Sequence, residues 1–165
     1  MKILAAESQG REEAHISTSP AVAWRWLGWF GFALAAMGFG DIALSWVPPG
    51  VGSPQWEFGT IGATFASLPL ASIGLAGLVA SALTSGRRWL VALLAAVLLT
   101  LGVAVLAGCV VFLLDTPLAL HATQGLAKLA VKKAIIKTLM LGLGFGALYL
   151  VGGVAGFRLL RAKRH

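Results

Sequence analysis

Long parts of this 165-residue chain contain no charge. Three stretches have no charged residue at all: Phe58–Gly86, Trp89–Leu114 and Thr138–Phe157. They contain 29, 26 and 20 residues. At about 1.5 Å of rise per residue, even the shortest spans the roughly 30 Å hydrocarbon core of a bilayer. A fourth apolar stretch, Trp26–Trp46, is interrupted only by Asp41. These four stretches predict four membrane-crossing helices.

The composition agrees with this prediction. Charged residues make up 12% of the chain and apolar residues 58%, whereas charged residues make up about 25% of ordinary soluble domains. Helices of a soluble domain would also be amphipathic rather than apolar all round. We therefore predict an all-α integral membrane protein with a four-transmembrane-helix bundle in residues 21–158, between a polar tail (1–20) and a basic tail (159–165). The spans are expected near residues 22–46, 58–84, 89–114 and 135–158.

Lysine and arginine are unevenly divided between the two sides of this bundle. With four crossings, both tails lie on the same side as the short Thr84–Arg88 turn, and that side carries nine of the 13 basic residues. The positive-inside rule then places both termini in the cytoplasm. Basic residues flank the spans and form no soluble face, so we expect no nucleic-acid partner. The abundance of Ala, Gly, Leu and Val is typical of a high-GC bacterium and predicts the bacterial inner membrane.

Residues that support catalysis or cofactor binding are scarce. The single Cys109 excludes an internal disulfide and a CxxC redox motif. His15, His121 and His165 all lie outside the predicted spans, which excludes a membrane-embedded haem held by two histidines. The sequence has no phosphate-binding loop, dinucleotide fingerprint or nucleophile elbow. We expect no cofactor, no metal site and no enzyme activity.

Two carboxylates form the candidate intramembrane polar site. Asp41 lies five residues before Trp46, inside the apolar limit of the first span. An ionised carboxylate there costs at least a few kcal/mol, and the C-terminal end of a helix disfavours negative charge, so Asp41 should be paired, protonated or hydrated. Glu57 begins the second span, where it complements the helix dipole. At similar depth across the hairpin, the two carboxylates can share a proton or bind a cation.

The hairpin between the first two spans is rich in proline and glycine. Trp46 and Trp56 bracket it, and tryptophan favours the headgroup boundary of a membrane. The loop is therefore either anchored by an aromatic belt or a docking loop for a partner or an apolar ligand. Within the second span, Pro69 is predicted to kink the helix and to free the carbonyl of Phe65.

Small residues recur at every fourth position in several spans. Such stripes allow helix backbones to approach closely in lipid. They predict helix packing, either within one bundle or at the seam of an oligomer. The predicted packing positions are Gly59, Ala63, Ser67 and Ala71 in the second span, Ala92, Ala96, Thr100, Ala104 and Gly108 in the third, and Gly142, Gly146, Gly152 and Gly156 in the fourth.

The segment before the last span predicts a short amphipathic interfacial helix. Thr116 and Pro117 favour a helix start, and Gly125 is expected to interrupt the helix. Asp115 is a candidate partner for one of the nearby lysines. Cations near a helix N-terminus oppose its dipole, so an anion should compensate them. The candidate contacts to anionic lipid headgroups or an acidic partner are His121, Lys128, Lys132, Lys133 and Lys137.

These observations favour a non-catalytic subunit or scaffold of a larger membrane assembly. Its expected partners are the lipid bilayer with its anionic headgroups, and other membrane subunits or further copies of itself. The alternative is a small proton- or cation-coupled transporter that works as a homo-oligomer with Asp41 on its pathway. A third hypothesis is an intramembrane enzyme that uses Asp41 and Glu57.

Overall fold

The computed structural model describes residues 20–47, 49–50, 53–121 and 123–162. These residues form four helices, each long and apolar enough to cross a membrane. The predicted all-α, multi-pass architecture is therefore confirmed in the described part of the chain. The predicted N-terminal tail up to Ser19 and the last three residues of the basic tail lie outside it. The helices are α1 (Pro20–Ser45), α2 (Pro54–Thr84), α3 (Arg88–His121) and α4 (Leu126–Ala162).

Local chemistry explains the two short turns. Gly86 follows α2 with a φ of +67°, and Gly125 precedes α4 with a φ of +61°. Both are glycines because this left-handed region disfavours side chains with a Cβ. Hydroxyls close the neighbouring helix ends: Thr84 donates to the carbonyl of Ala80 at 3.1 Å, and Thr123 donates to that of Ala119 at 3.1 Å.

The segment predicted as a separate interfacial helix is divided between two long helices. Pro117 lies inside α3 instead of starting a new helix. Proline inside an apolar helix frees the carbonyl four residues earlier, here that of Leu113. The adjacent hydroxyl of Thr116 donates to the neighbouring carbonyl of Phe112 at 2.8 Å. The chain turns only at Gly125, so α3 and α4 contain 34 and 37 residues. No separate short helix precedes the last span within the described ranges.

The four helices do not form a closed bundle. Consecutive helices are antiparallel neighbours, and α2 also contacts α4, but no Cα atom of α1 lies within 8 Å of α3 or α4 in the described residues. The core therefore lies between α2, α3 and α4, around Phe65, Leu68 and Phe112, which are at most 2% exposed.

We name the end of the bundle with Trp46 and Trp56 the tryptophan end, and the end with residues 85–87 the turn end.

Glycines allow α1 to lie directly against α2. A Cβ added at Gly38 would lie 2.7 Å from the backbone nitrogen of Ala71, and one at Gly31 would lie 2.8 Å from the carbonyl oxygen of Gly74. Only hydrogen fits at such positions. This contact of backbone against backbone provides the van der Waals attraction that holds helices together in lipid, and it fixes α1 on one side of α2.

The predicted small-residue stripes occupy different surroundings. The four predicted stripe glycines of α4 all face α3: a Cβ at Gly146 would lie 2.8 Å from the Leu106 side chain, and one at Gly156 would lie 2.9 Å from Ala95. In α2, Ala71 is buried against α1, Ser67 is half-buried, and Gly59 and Ala63 are exposed. The α3 stripe has half-buried ends at Ala92 and Gly108 and an exposed middle at Ala96, Thr100 and Ala104.

Pro69 lies inside α2, which continues from Pro54 to Thr84 without a break. The hydroxyl of Ser67 does not bond to the carbonyl of Phe65, which Pro69 leaves without its usual helical donor. It contacts the carbonyl of Ala63 and the carboxylate of Asp41 on α1 instead. The kink at Pro69 stays a prediction.

Candidate functional site: the crevice at the tryptophan end

Three contacts close the hairpin between α1 and α2. The indole Nε1–H of Trp46 donates to Thr64 Oγ1 at 3.1 Å, and Thr60 Oγ1 donates to the carbonyl of Ser45 at 3.4 Å. The rings of Trp46 and Trp56 meet edge to face, with centroids 5.5 Å apart. A Cβ at Gly50 would lie 2.8 Å from the Trp56 ring, so Gly50 packs tightly against it. The two tryptophans thus form one rim.

Below this rim, α1 and α3 diverge and leave a crevice of about 550 Å³ on the surface of α2. Its walls are almost entirely apolar, and its polar groups are concentrated near the rim. An apolar pocket with a few converging polar groups is the usual form of a ligand site. The crevice is lined by Phe39, Ile42, Trp46, Trp56, Glu57, Thr60, Ile61, Thr64, Phe65, Leu68, Leu101, Ala104, Val105, Ala107, Gly108 and Val111.

Glu57 lines the crevice and lies beside the carboxyl group of Asp115 on α3. The rings of Phe58 and Phe112, stacked at 4.6 Å, hold these two helix segments together. Ionised carboxylates only accept hydrogen bonds, so these two groups can bond to each other only when one of them carries a proton. Among the described residues, Asp115 lies beside Glu57 and forms no ion pair with a lysine. Its Oδ2 atom is buried and has no hydrogen-bond partner among the described residues.

Asp41 is separate from this carboxyl pair. Its Oδ2 accepts a hydrogen bond from the hydroxyl of Ser67 on α2, so the carboxylate has an interhelical partner. Asp41 is exposed on the surface of the monomer and does not line the crevice. The two carboxylates of the predicted polar site, Asp41 and Glu57, thus have different partners.

The predicted headgroup contacts cluster at the tryptophan end. His121 is the last residue of α3, and the four lysines lie in the first turns of α4. All five side chains are exposed: His121, Lys128, Lys132, Lys133 and Lys137. Because the chain turns at Gly125, His121 does not share a helical face with the lysines.

Sequence reasoning missed two polar contacts. The Glu57–Asp115 pair had a signal, since Asp115 directly follows the charge-free run Trp89–Leu114 and therefore lies near the same end as Glu57. The second contact joins Ser72 of α2 to Tyr149 of α4, with 2.6 Å between their hydroxyl oxygens. Tyr149 is the only tyrosine of the chain and lies in an otherwise apolar span, which was the available signal.

The crevice can hold an apolar group and place a polar one near Glu57. Within the described ranges, no group of three or more His, Cys, Asp or Glu side chains comes together to hold a metal ion. Comparison with protein-family models, with curated proteins and with solved structures finds no significant match.

Proposed function

We propose that this protein is a non-catalytic subunit of a larger membrane assembly, with an uncovered face of α3 as its contact to a partner helix. The observation that carries the proposal is the open bundle: α1 packs on α2 alone, and α3 is covered by α4 and α2 but not by α1. A helix from another subunit would pack on the face of α3 that α1 leaves open.

The uncovered face of α3 is suited to such a contact. Ala96, Thr100 and Ala104 are exposed there, on the side of α3 away from α4. Small side chains let a second backbone approach, which is the main source of helix association in lipid. The hydroxyl of Thr100 already donates to the carbonyl of Ala96 at 3.0 Å, so covering it leaves no donor unsatisfied.

The charge distribution supports an orientation with both termini in the cytoplasm, and the abundance of Ala, Gly, Leu and Val supports a bacterial inner membrane. In that orientation, the tryptophan end lies at the outer surface. The 37 residues of α4 extend over about 55 Å, well beyond the roughly 30 Å hydrocarbon core. The first turns of α4 would therefore serve as the amphipathic interfacial segment, where Lys128, Lys132, Lys133 and Lys137 contact anionic headgroups.

Site-specific photo-crosslinking tests the subunit function. A crosslinking amino acid at Ala104 should capture a different polypeptide in native membranes. The same amino acid at Val151, which is 68% exposed on α4, should capture none. Capture of protein from neither position, or equally from both, would overturn the proposal. Native mass spectrometry from mild detergent then distinguishes a complex of different subunits from a homo-oligomer.

The Glu57–Asp115 pair favours a second candidate function, a proton- or cation-coupled transporter. Two carboxyl groups that share a proton beside an apolar crevice can exchange that proton for a cation. Asp41 is exposed on the monomer, so a pathway through it would need a second copy of the chain. In this alternative, Asp41→Asn abolishes transport by a folded homo-oligomer. Transport unchanged by both Asp41→Asn and Glu57→Gln would eliminate it.

A further inference from the structure

A second groove lies between α1 and α3 at the turn end. Its volume is about 960 Å³. It shares no lining residue with the crevice at the tryptophan end. Arg25 of α1 and Arg87 of the α2–α3 turn both line it. The groove exists because α1 contacts α2 but not α3, and its two walls bring arginines from different elements to one opening.

The opening of the groove is cationic. No acidic residue lines it, and neither Arg25 nor Arg87 forms an ion pair within the described part of the chain. Ser81, Thr84 and Ser85 also line it, but the hydroxyls of Thr84 and Ser85 already donate to the carbonyls of Ala80 and Ala82. The phosphate donors are therefore the guanidinium groups, whose planar N–H groups match phosphate oxygens.

Further from the turn end, the groove becomes apolar. Phe32 lies seven residues after Arg25, which corresponds to about 10 Å along α1. Leu78 faces the same space from α2, and Trp29 lies between the two levels. The groove thus changes from cationic to apolar along the direction in which a phospholipid changes from phosphate to acyl chain.

We propose that this groove binds one phospholipid with an anionic headgroup, with its phosphate between Arg25 and Arg87 and an acyl chain along Phe32 and Leu78. A free phosphate would leave the apolar part uncovered, and an acidic peptide would bring polar backbone to the depth of Phe32. The site does not depend on the partner face of α3, since that face is not part of this groove.

Native mass spectrometry in an uncharged detergent tests the site with two probes that share the same acyl chains, phosphatidylglycerol and phosphatidylcholine. The wild-type chain should retain phosphatidylglycerol preferentially. Each of Arg25→Gln and Arg87→Gln should weaken retention about fivefold, the typical contribution of one basic residue near an anionic membrane surface. The double variant should lose the preference. The matched control is Arg158→Gln with Arg161→Gln, which removes the same charge from exposed positions on α4.

Four results would overturn the proposal. An equal loss of phosphatidylglycerol retention in the groove and control double variants would show that surface charge alone attracts the lipid. An unchanged preference for phosphatidylglycerol in the groove double variant would show that Arg25 and Arg87 do not bind it. Displacement by inorganic phosphate at millimolar concentration would identify a free-anion site. Binding only after Glu7, Glu12 and Glu13 are changed to Gln would identify the chain's own N-terminal acids as the occupant. Circular dichroism of each variant checks that its helices are intact.

Discussion

Two glycines in α4 differ in surroundings although they are only two residues apart. A Cβ at Gly142 would lie 2.5 Å from Cys109 Sγ and 2.6 Å from Cε2 of Phe65. A Cβ at Gly144 would meet no atom within 4 Å. The Phe65 ring cannot shift away easily, because it is 2% exposed and also contacts Gly108 of α3. Gly142→Ala should therefore destabilise the bundle, and Gly144→Ala should not.

The magnitude follows from two opposing terms. A methyl group forced into a tight site costs about 1–3 kcal/mol, whereas alanine is favoured over glycine in a helix by about 0.8–1.0 kcal/mol. The helix term is common to the two variants, so their difference in unfolding free energy equals the packing cost, about 1–3 kcal/mol. For a chain of this size, that difference corresponds to roughly 2–12 °C in Tm.

Cys109 provides the assay. It is the only cysteine of the chain and is 2% exposed, so a maleimide dye reacts only when the α3–α4 contact opens. We expect the temperature of half-labelling in detergent to be lower for Gly142→Ala than for Gly144→Ala. Loss of helical circular dichroism should follow the same order. Equal midpoints for the two variants, or a higher one for Gly142→Ala, would refute the close packing of α4 on Cys109 and Phe65.

Three further changes test individual hydrogen bonds by the same thermal assay. Trp46→Phe removes the bond to Thr64 and should lower the free energy of unfolding by about 0.5–1.5 kcal/mol. The control is Trp89→Phe at an exposed position, which should leave stability unchanged. Equal losses of stability in the two variants would argue against the bond. Tyr149→Phe removes the bond to Ser72 but should cost only about 0.6 kcal/mol, the average for such bonds between membrane helices, because Ser72 keeps the Leu68 carbonyl at 2.7 Å; a loss of several kcal/mol would contradict this. Asp115→Asn can still donate to Glu57, so it should be more stable than Asp115→Ala by about 1–3 kcal/mol; no difference between the two would count against the carboxyl pair.

The membrane-crossing segments were predictable because the underlying rule is local. A charged or unpaired polar group in the hydrocarbon core is costly wherever it lies, so charge-free runs of sufficient length locate the spans without knowledge of their neighbours. The Thr84–Arg88 turn was predicted for the same reason. Pro117 was ambiguous, since proline either begins a helix or lies within one. The continuation of α3 to His121 depended on its surroundings.

Helix packing was only partly predictable. Small residues at every fourth position identify a helix face that another backbone can approach, but not which helix packs there. The predicted stripe glycines of α4 face α3, while the longest predicted stripe, on α3, has an exposed middle at Ala96, Thr100 and Ala104. The closest backbone contact is between α1 and α2, at Gly31, Gly38 and Gly74, where glycines rather than alanines allow the helices to touch.

In the candidate site, the depth of each carboxyl group was predictable from the sequence, but its partner was not. The sequence by itself determined that the apolar segments enter a membrane and that Asp41, Glu57 and Asp115 lie near the same end, because depth depends only on position along a span. Which carboxyl group meets which partner depends on how each helix is rotated and on which neighbours it has. Only the tertiary structure decided that Glu57 lies beside Asp115 while Asp41 bonds to Ser67, and that α1 and α3 lie apart and leave the crevice at one end and the groove at the other.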